Sequence, residues 1–204
     1  MLFLDTVKPD TLDTLRRLQA LPVLAETRLV GGTALALQMG HRLSVDLDMF
    51  GIWDKQVDLG EAFARCGDVE AEHVTANIQV FRVSGIKVDT VYYQYSWLDE
   101  PVSECGLRLA SLRDIAPMKL EALNNRGSKR DFVDLAILLD RFTLPEILGW
   151  YKAKYPRGSE YLVLRSLSYF HDAEEEPMPV MLKPMSWATV KERIQRAVRE
   201  TGLA

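Results

Sequence analysis

Cysteine is scarce in this chain: two residues in 204, Cys66 and Cys105, with no Cys-x-x-Cys spacing and no histidine close by. Neither a disulfide framework nor a zinc site is predicted from them, and idle thiols in a reducing compartment are the expectation. Long apolar runs are absent too, so no segment approaches the length that spans a bilayer. The start, Met1-Leu2-Phe3-Leu4-Asp5, turns acidic and polar too early for a signal peptide. A cytoplasmic protein with no membrane partner is expected. There is no Gly-x-x-x-x-Gly-Lys-Ser/Thr loop and no Gly-x-Gly-x-x-Gly run, so P-loop and Rossmann modes of nucleotide binding are not on offer. Nor is there a surplus of positive charge. With 25 Lys and Arg against 29 Asp and Glu, the net charge of -4 argues against non-specific nucleic-acid binding over the whole surface.

What the chain does have is apolar material: 48% hydrophobic residues, enough for one large domain or two small ones. Leu12, Leu15, Leu18 and Leu21 recur at helical spacing between Pro9-Asp10-Thr11 and Pro22, which predicts an amphipathic helix. A short strand at 28–30 runs into Gly31-Gly32-Thr33 and a helix that ends at Gly40. A strand is predicted over 45–50, a helix over 56–67, and two extended runs over 69–83 and 86–93, the second joined across Ser84-Gly85 as a hairpin. From Ser111 onward the pattern is helical, near 112–125, 129–142, 144–155, 159–171 and 187–200, with 172–179 as an acidic, proline-bearing loop. The composition shift predicts an α/β half over 1–107, built on a small sheet with flanking helices, and a helical half over 108–204.

Charge is uneven along this order. Between Arg108 and Arg130 six basic residues stand against Asp114 and Glu121, and the segment from Lys183 has five against Glu192 and Glu200. Solvated helix faces often look like this, and a role beyond solvation needs a site nearby.

The chemistry concentrates in three acids. Residues two apart on a strand share a face, so Asp46 and Asp48 stand side by side in Val45-Asp46-Leu47-Asp48-Met49-Phe50. Adjacent carboxylates repel, and a hard divalent cation with oxygen ligands is the usual remedy; an exposed strand face that is merely solvated is the alternative. Asp89, in Ile86-Lys87-Val88-Asp89, occupies another half-buried strand and could join the pair, or else pair with Lys87. Three converging carboxylates suit two-metal phosphoryl chemistry. Upstream, Gly31-Gly32-Thr33 sits at a strand-to-helix junction, where backbone N–H groups and the helix dipole face any anion that approaches.

Taken in order, Gly31-Gly32-Thr33-Ala34-Leu35-Ala36-Leu37 and His41-Arg42-Leu43-Ser44-Val45-Asp46-Leu47-Asp48-Met49-Phe50 resemble the signature of the AbiEii/AbiGii toxin family of nucleotidyltransferases, relatives of the DNA polymerase beta superfamily. The later run Ile115-Ala116-Pro117-Met118-Lys119-Leu120-Glu121, with Arg126-Gly127 and Arg130-Asp131-Phe132-Val133-Asp134-Leu135, is similar to that family's Lys-containing and Arg-Asp-x-x-Asp-Leu motifs. The resemblance implies a polymerase-beta-like sheet with a C-terminal helical bundle completing the nucleotide cleft. It implies Asp46, Asp48 and Asp89 as ligands of Mg²⁺ or Mn²⁺. Gly31, Gly32, Thr33 and Ser44 would be nucleotide-binding, Lys119 would meet the triphosphate as a point charge, and Asp131 would act near the site. From the residues alone, Lys119 reads as readily as a lysine whose stem packs on the core, and Arg130 with Asp134 as a pair four apart on a helix.

The expected activity is transfer of a nucleoside monophosphate from an NTP, with release of pyrophosphate, to a hydroxyl of RNA, such as the end of a transfer RNA, or of a protein. The resemblance further implies a cognate antitoxin in a toxin-antitoxin or phage-defence system. Two alternatives stand beside it: an antitoxin-like enzyme that nucleotidylates a partner toxin, and a non-catalytic nucleotide-binding module of the same fold.

Overall fold

The computed structural model describes residues 1–202 as two compact units. One comprises Met1–Tyr95 and Glu100–Ala110; the other comprises Ser96–Asp99 and the chain from Ser111 onward.

The first unit runs α1 (Pro9–Gln19), β1 (Thr27–Val30), α2 (Gly31–Met39), β2 (Leu47–Gly51), α3 (Leu59–Phe63), β3 (Val69–Val74), β4 (Ile78–Val83), β5 (Ile86–Tyr92), β6 (Val102–Glu104) and β7 (Leu107–Leu109). Its strands form one mixed sheet in the order β3-β4-β5-β2-β1-β7-β6. The pair β1/β2 is antiparallel, while β2/β5 and β1/β7 are parallel. Register then sorts the side chains. Leu47 is opposite Val88 and Val88 opposite Phe81, and these three are buried with Leu29, Met49 and Val83 on one face. Asp48 and Asp89 are register partners on the other face. Helix α1 starts with Pro9 at its first turn and buries Leu12, Leu15 and Leu18. Each such leucine is worth about 1.5–3 kcal/mol relative to an exposed one.

Several predicted boundaries move, each for a local reason. The strand expected at 45–50 begins at Leu47, because the Thr33 hydroxyl donates to the Asp46 carbonyl and lies 2.8 Å from the Ser44 hydroxyl, holding Ser44–Asp46 as a loop. The helix expected over 56–67 shortens to α3, capped by the Asp58 side chain on the Glu61 amide. The run 69–83 is two strands, folded back at Thr75–Asn77, where the Thr75 hydroxyl accepts from the Ile78 amide at 3.0 Å. The β6/β7 hairpin was not expected; its three-residue strands are too short to show alternation.

The second unit holds α4 (Leu112–Asn125), α5 (Lys129–Leu138), α6 (Leu144–Lys154), α7 (Glu160–Ser166), α8 (His171–Glu174) and α9 (Trp187–Glu200). The helix expected over 159–171 thus ends at Ser166, and a further turn of helix occupies the start of the expected acidic loop. Side-chain oxygens of Ser111, Ser128, Thr143, Ser159 and Ser186 cap α4, α5, α6, α7 and α9 by accepting from the amide three residues on. At α4 and α5 that third residue is a buried aspartate, Asp114 or Asp131, and each is paired with a buried lysine. Lys154 Nζ lies 2.6 Å from Asp114, which also accepts from the amides of Leu98 and Asp99, so one carboxylate fastens the 96–99 segment to α4 and α6. Helix α9 buries Val190, Ile194 and Val198, a stripe four residues apart.

Candidate active site

The site in the first unit is built where β1 passes into α2. Gly31 adopts φ 67°, and a Cβ there would lie 2.1 Å from Asp48 Oδ2, so only glycine lets the first turn of α2 come this close to the carboxylate. At Gly32 a Cβ would lie 2.2 Å from Arg42 Nη2, so a side chain there would have to shift the arginine head. Thr33 and Ser44 are buried and bonded to each other, so their hydroxyls set the loop that presents Asp46. The opening amides of α2 have no intrahelical acceptors and carry the positive end of its dipole.

The three acids come together around a lysine. Asp48 is the register partner of Asp89, and Asp46 lies two residues before Asp48. Lys87 Nζ is 2.8 Å from Asp89 Oδ2, whereas Asp89 Oδ1 is buried with no hydrogen-bond partner. Burial by itself pulls the Lys87 ammonium down; the hydrogen bond and charge of Asp89, and then the charges of Asp46 and Asp48, outweigh it and raise its pKa above 10.5. Among the described residues no three His, Cys, Asp or Glu side chains are disposed to hold a metal ion. The donors nonetheless have the right chemistry. Mg²⁺ takes oxygen ligands and is commonly held by one or two carboxylates plus substrate phosphates, and the orphaned Asp89 oxygen is an acceptor still to be used.

The other predicted residues belong to the second unit. Lys119 is not a solvent-facing point charge: it is 5% exposed, with Nζ 2.6 Å from Asp134 and 3.0 Å from Asp131. Asp131 also accepts from Arg126 Nε at 2.8 Å and from the Ser128 hydroxyl at 2.7 Å. Burial would raise its carboxyl, but the Lys119 charge, with Arg126 and Ser128, lowers it from 3.8 to about 2. The basic run 108–130 is therefore largely consumed inside the fold. Arg108 donates to the Gln19 and Leu24 carbonyls, Arg113 pairs with Asp99, and Lys129 donates to the Glu174 and Glu176 carbonyls.

Arg42 escaped the sequence reading as a site residue, and Lys87 entered it only as the alternative partner of Asp89, the pair that the structure forms. Arg42, 4% exposed, lies against Gly32; Lys87 sits within the acids. The signal for Lys87 was its spacing of two from Asp89 on a strand, and for Arg42 its place between the glycines and Asp46. Two concavities of the first unit, of about 910 and 660 Å³, flank α3, and none of the three acids lines either. They offer no chemistry to match the acidic face.

Residues 13–200 match the family described as nucleotidyl transferase AbiEii toxin, type IV TA system. The chain belongs to this family. It is 32% identical over 201 residues to the protein aq_aa25 of Aquifex aeolicus (strain VF5), covering 95% of this chain and 97% of that one. It is similar in fold to MenT4, a nucleotidyltransferase toxin of Mycobacterium tuberculosis H37Rv, with a TM-score of 0.60 at 17% identity, covering 97% of this chain and 86% of that one. JHP933 from Helicobacter pylori gives a TM-score of 0.57 at 18% identity over 95% of this chain and 90% of that one. The mixed sheet agrees with the fold of these solved structures. No helix among the described residues is long and apolar enough to cross a membrane.

Proposed function

We propose that this AbiEii-family chain transfers a nucleoside monophosphate from an NTP to a hydroxyl of a macromolecular acceptor, releasing pyrophosphate, as the toxin of a toxin-antitoxin pair with a cognate antitoxin. The observation that carries the reading is the acidic face: Asp48 and Asp89 in register on parallel strands, Asp46 beside them, and the first turn of α2 pressed against Asp48. Asp46, Asp48 and Asp89 would hold Mg²⁺ or Mn²⁺, which supplies Lewis-acid stabilisation of phosphoryl oxygens. The amides of Gly31, Gly32 and Thr33 face an incoming phosphate, with buried Arg42 behind them. Asp89 orients or accepts a proton from the attacking hydroxyl at its free oxygen. Lys119 and Asp131 set the conformation of α4 and α5 as a buried charge cluster, and Lys119 reaches a triphosphate only by leaving that cluster.

RNA is the acceptor we favour. In and around α7, Arg157, Tyr161, Arg165 and Tyr169 are all exposed, Tyr161 by 71% and Tyr169 by 55%. Cations interleaved with exposed rings suit single-stranded nucleic acid, whose phosphates and bases they meet in turn. The test offers each α-labelled NTP, with Mg²⁺ or Mn²⁺, to the protein with total transfer RNA and with a cell lysate. The parent labels a macromolecule; Asp46→Asn and Asp48→Asn do not, with unchanged melting profiles. Parental rates in both variants would sink the proposal.

A further inference from the structure

The sheet of the first unit ends differently on its two sides. β6 is an edge of three residues, whereas β3 at the other end runs from Val69 to Val74 with no strand on its outer side among the described residues. All of β3 beyond Val69 is exposed. The Ser84 amide donates to the Asp68 carbonyl and the Thr75 amide to the Ile78 carbonyl, each at 2.8 Å, which fixes the phase in which β3 bonds to β4. Alternation from those two bonds, with the register break between Ala71 and His73, turns the peptide groups of Val69, Ala71 and Val74 outward. The same three residues line the concavity of about 910 Å³ beside α3, where Val74 is 58% and Val57 39% exposed. The rim of this groove is acidic. Asp58, Glu61 and Asp68 stand there against Lys55, whose Nζ is held 2.7 Å from Asn77 Oδ1. On β3, Glu72 is paired with Arg82 at 2.5 Å, but Glu61, Asp68 and Glu70 have no ion pair among the described residues.

We infer that the β3 edge and the groove beside it form a docking site for an extended, Lys- or Arg-bearing segment of a partner protein, which adds to the sheet as a further strand. The site is separate from the transfer chemistry, since none of Asp46, Asp48 and Asp89 lines the groove. Strand addition satisfies the outward peptide groups of β3 and sends alternate side chains of the added strand to opposite faces. On the α3 side, apolar side chains of the segment enter beside Val57 and Val74, and its cations meet Glu61, Asp68 and Glu70. The sign of the charge selects the occupant. A second copy of this chain, pairing β3 on β3, would bring Glu70 and Glu72 against their own kind, and a nucleic acid would bring phosphates to an acidic rim. A basic strand instead supplies the counter-charges that the three carboxylates lack. The alternative is an edge guarded against association, because bulges and charged side chains also discourage pairing. Yet β3 carries no proline and no lysine, and its outward peptide groups are flanked by open apolar side chains.

The experiment uses the full chain and two fluorescein-labelled octapeptides, capped at both ends. One alternates lysine with valine; the other alternates lysine with proline, which keeps the charge but cannot form a strand ladder. Fluorescence anisotropy reads affinity, and amide hydrogen exchange reads where the peptide lies. The lysine-valine peptide should bind saturably and slow exchange at the amides of Val69, Ala71 and Val74. Its affinity should fall roughly tenfold in the triple variant Glu61→Gln, Asp68→Asn, Glu70→Gln, since each exposed carboxylate is worth about a few-fold. These side chains are exposed, so the variant should keep the parental melting profile and the parental rate of nucleotidyl transfer. Absence of binding, equal binding of the lysine-proline peptide, or parental affinity in the triple variant overturns the docking site and leaves the transfer reading untouched. Protection that falls outside β3 also overturns it. A dimer in sedimentation that the triple variant strengthens overturns it in favour of pairing between copies, and displacement of the peptide by oligouridine overturns it in favour of nucleic acid.

Discussion

Replacing Lys119 by Met keeps the apolar stem and removes the ammonium, which leaves two aspartates buried at 0% exposure in α5. Asp131 retains Arg126 and Ser128, but Asp134 loses the 2.6 Å contact with Lys119. The depression of Asp131 from 3.8 to about 2 corresponds to roughly 2–3 kcal/mol at about 1.4 kcal/mol per pK unit, and Lys119 leads the groups that lower it. Breaking a buried pair by deleting one partner typically costs about 3–5 kcal/mol, because the stranded charge keeps its desolvation penalty. Lys119→Met is therefore expected to destabilise the second unit by about 3–5 kcal/mol at pH 7. The sign with pH follows from the depressed carboxyl. In the parent, its contribution is present above pH 3.8 and is lost as pH falls toward about 2. In the variant Asp131 loses the first of the charges that lower it and takes up its proton at higher pH, so the gap between variant and parent narrows as pH drops from 7 to 4.5. Urea unfolding followed by tryptophan fluorescence measures this, since Trp97, Trp150 and Trp187 lie in the second unit and Trp53 in the first. A variant within about 1 kcal/mol of the parent at pH 7, with a gap indifferent to acid, would refute the buried-cluster account.

Gly31→Ala must displace Asp48 or distort a backbone held at φ 67°; transfer should fall to background, with a loss of stability of about 1–3 kcal/mol by urea titration, and an active, equally stable variant would contradict the close approach. Asp114→Ala strands Lys154 and frees the amides of Leu98 and Asp99, so hydrogen exchange at those two amides should accelerate well before global unfolding; unaltered protection there would deny the carboxylate its fastening role. RNA affinity should fall steeply with rising salt, with a shallower slope in Arg157→Gln and Arg165→Gln, and equal slopes in parent and variants would remove α7 from the RNA surface.

The sequence by itself determined the elements whose signal is local. Ser/Thr caps fixed the starts of α4, α5, α6 and α9, and the leucine spacing fixed α1, because capping and helical periodicity depend on neighbours three or four residues away. The glycine pair that opens α2 and the Asp-x-Asp spacing also marked the acidic face, since each is a short-range requirement of backbone and charge. Tertiary structure decided what long-range pairing controls. Only strand register makes Asp48 the neighbour of Asp89, and no spacing along the chain encodes that alignment. Only packing reveals that Lys119 is neutralised by Asp131 and Asp134. The local excess of basic residues over 108–130 looked like a surface because a sequence counts charges without their partners. In the fold, Arg108, Arg113 and Lys129 bond to groups from 14 to 89 residues away, and a charge so matched presents little field to a ligand.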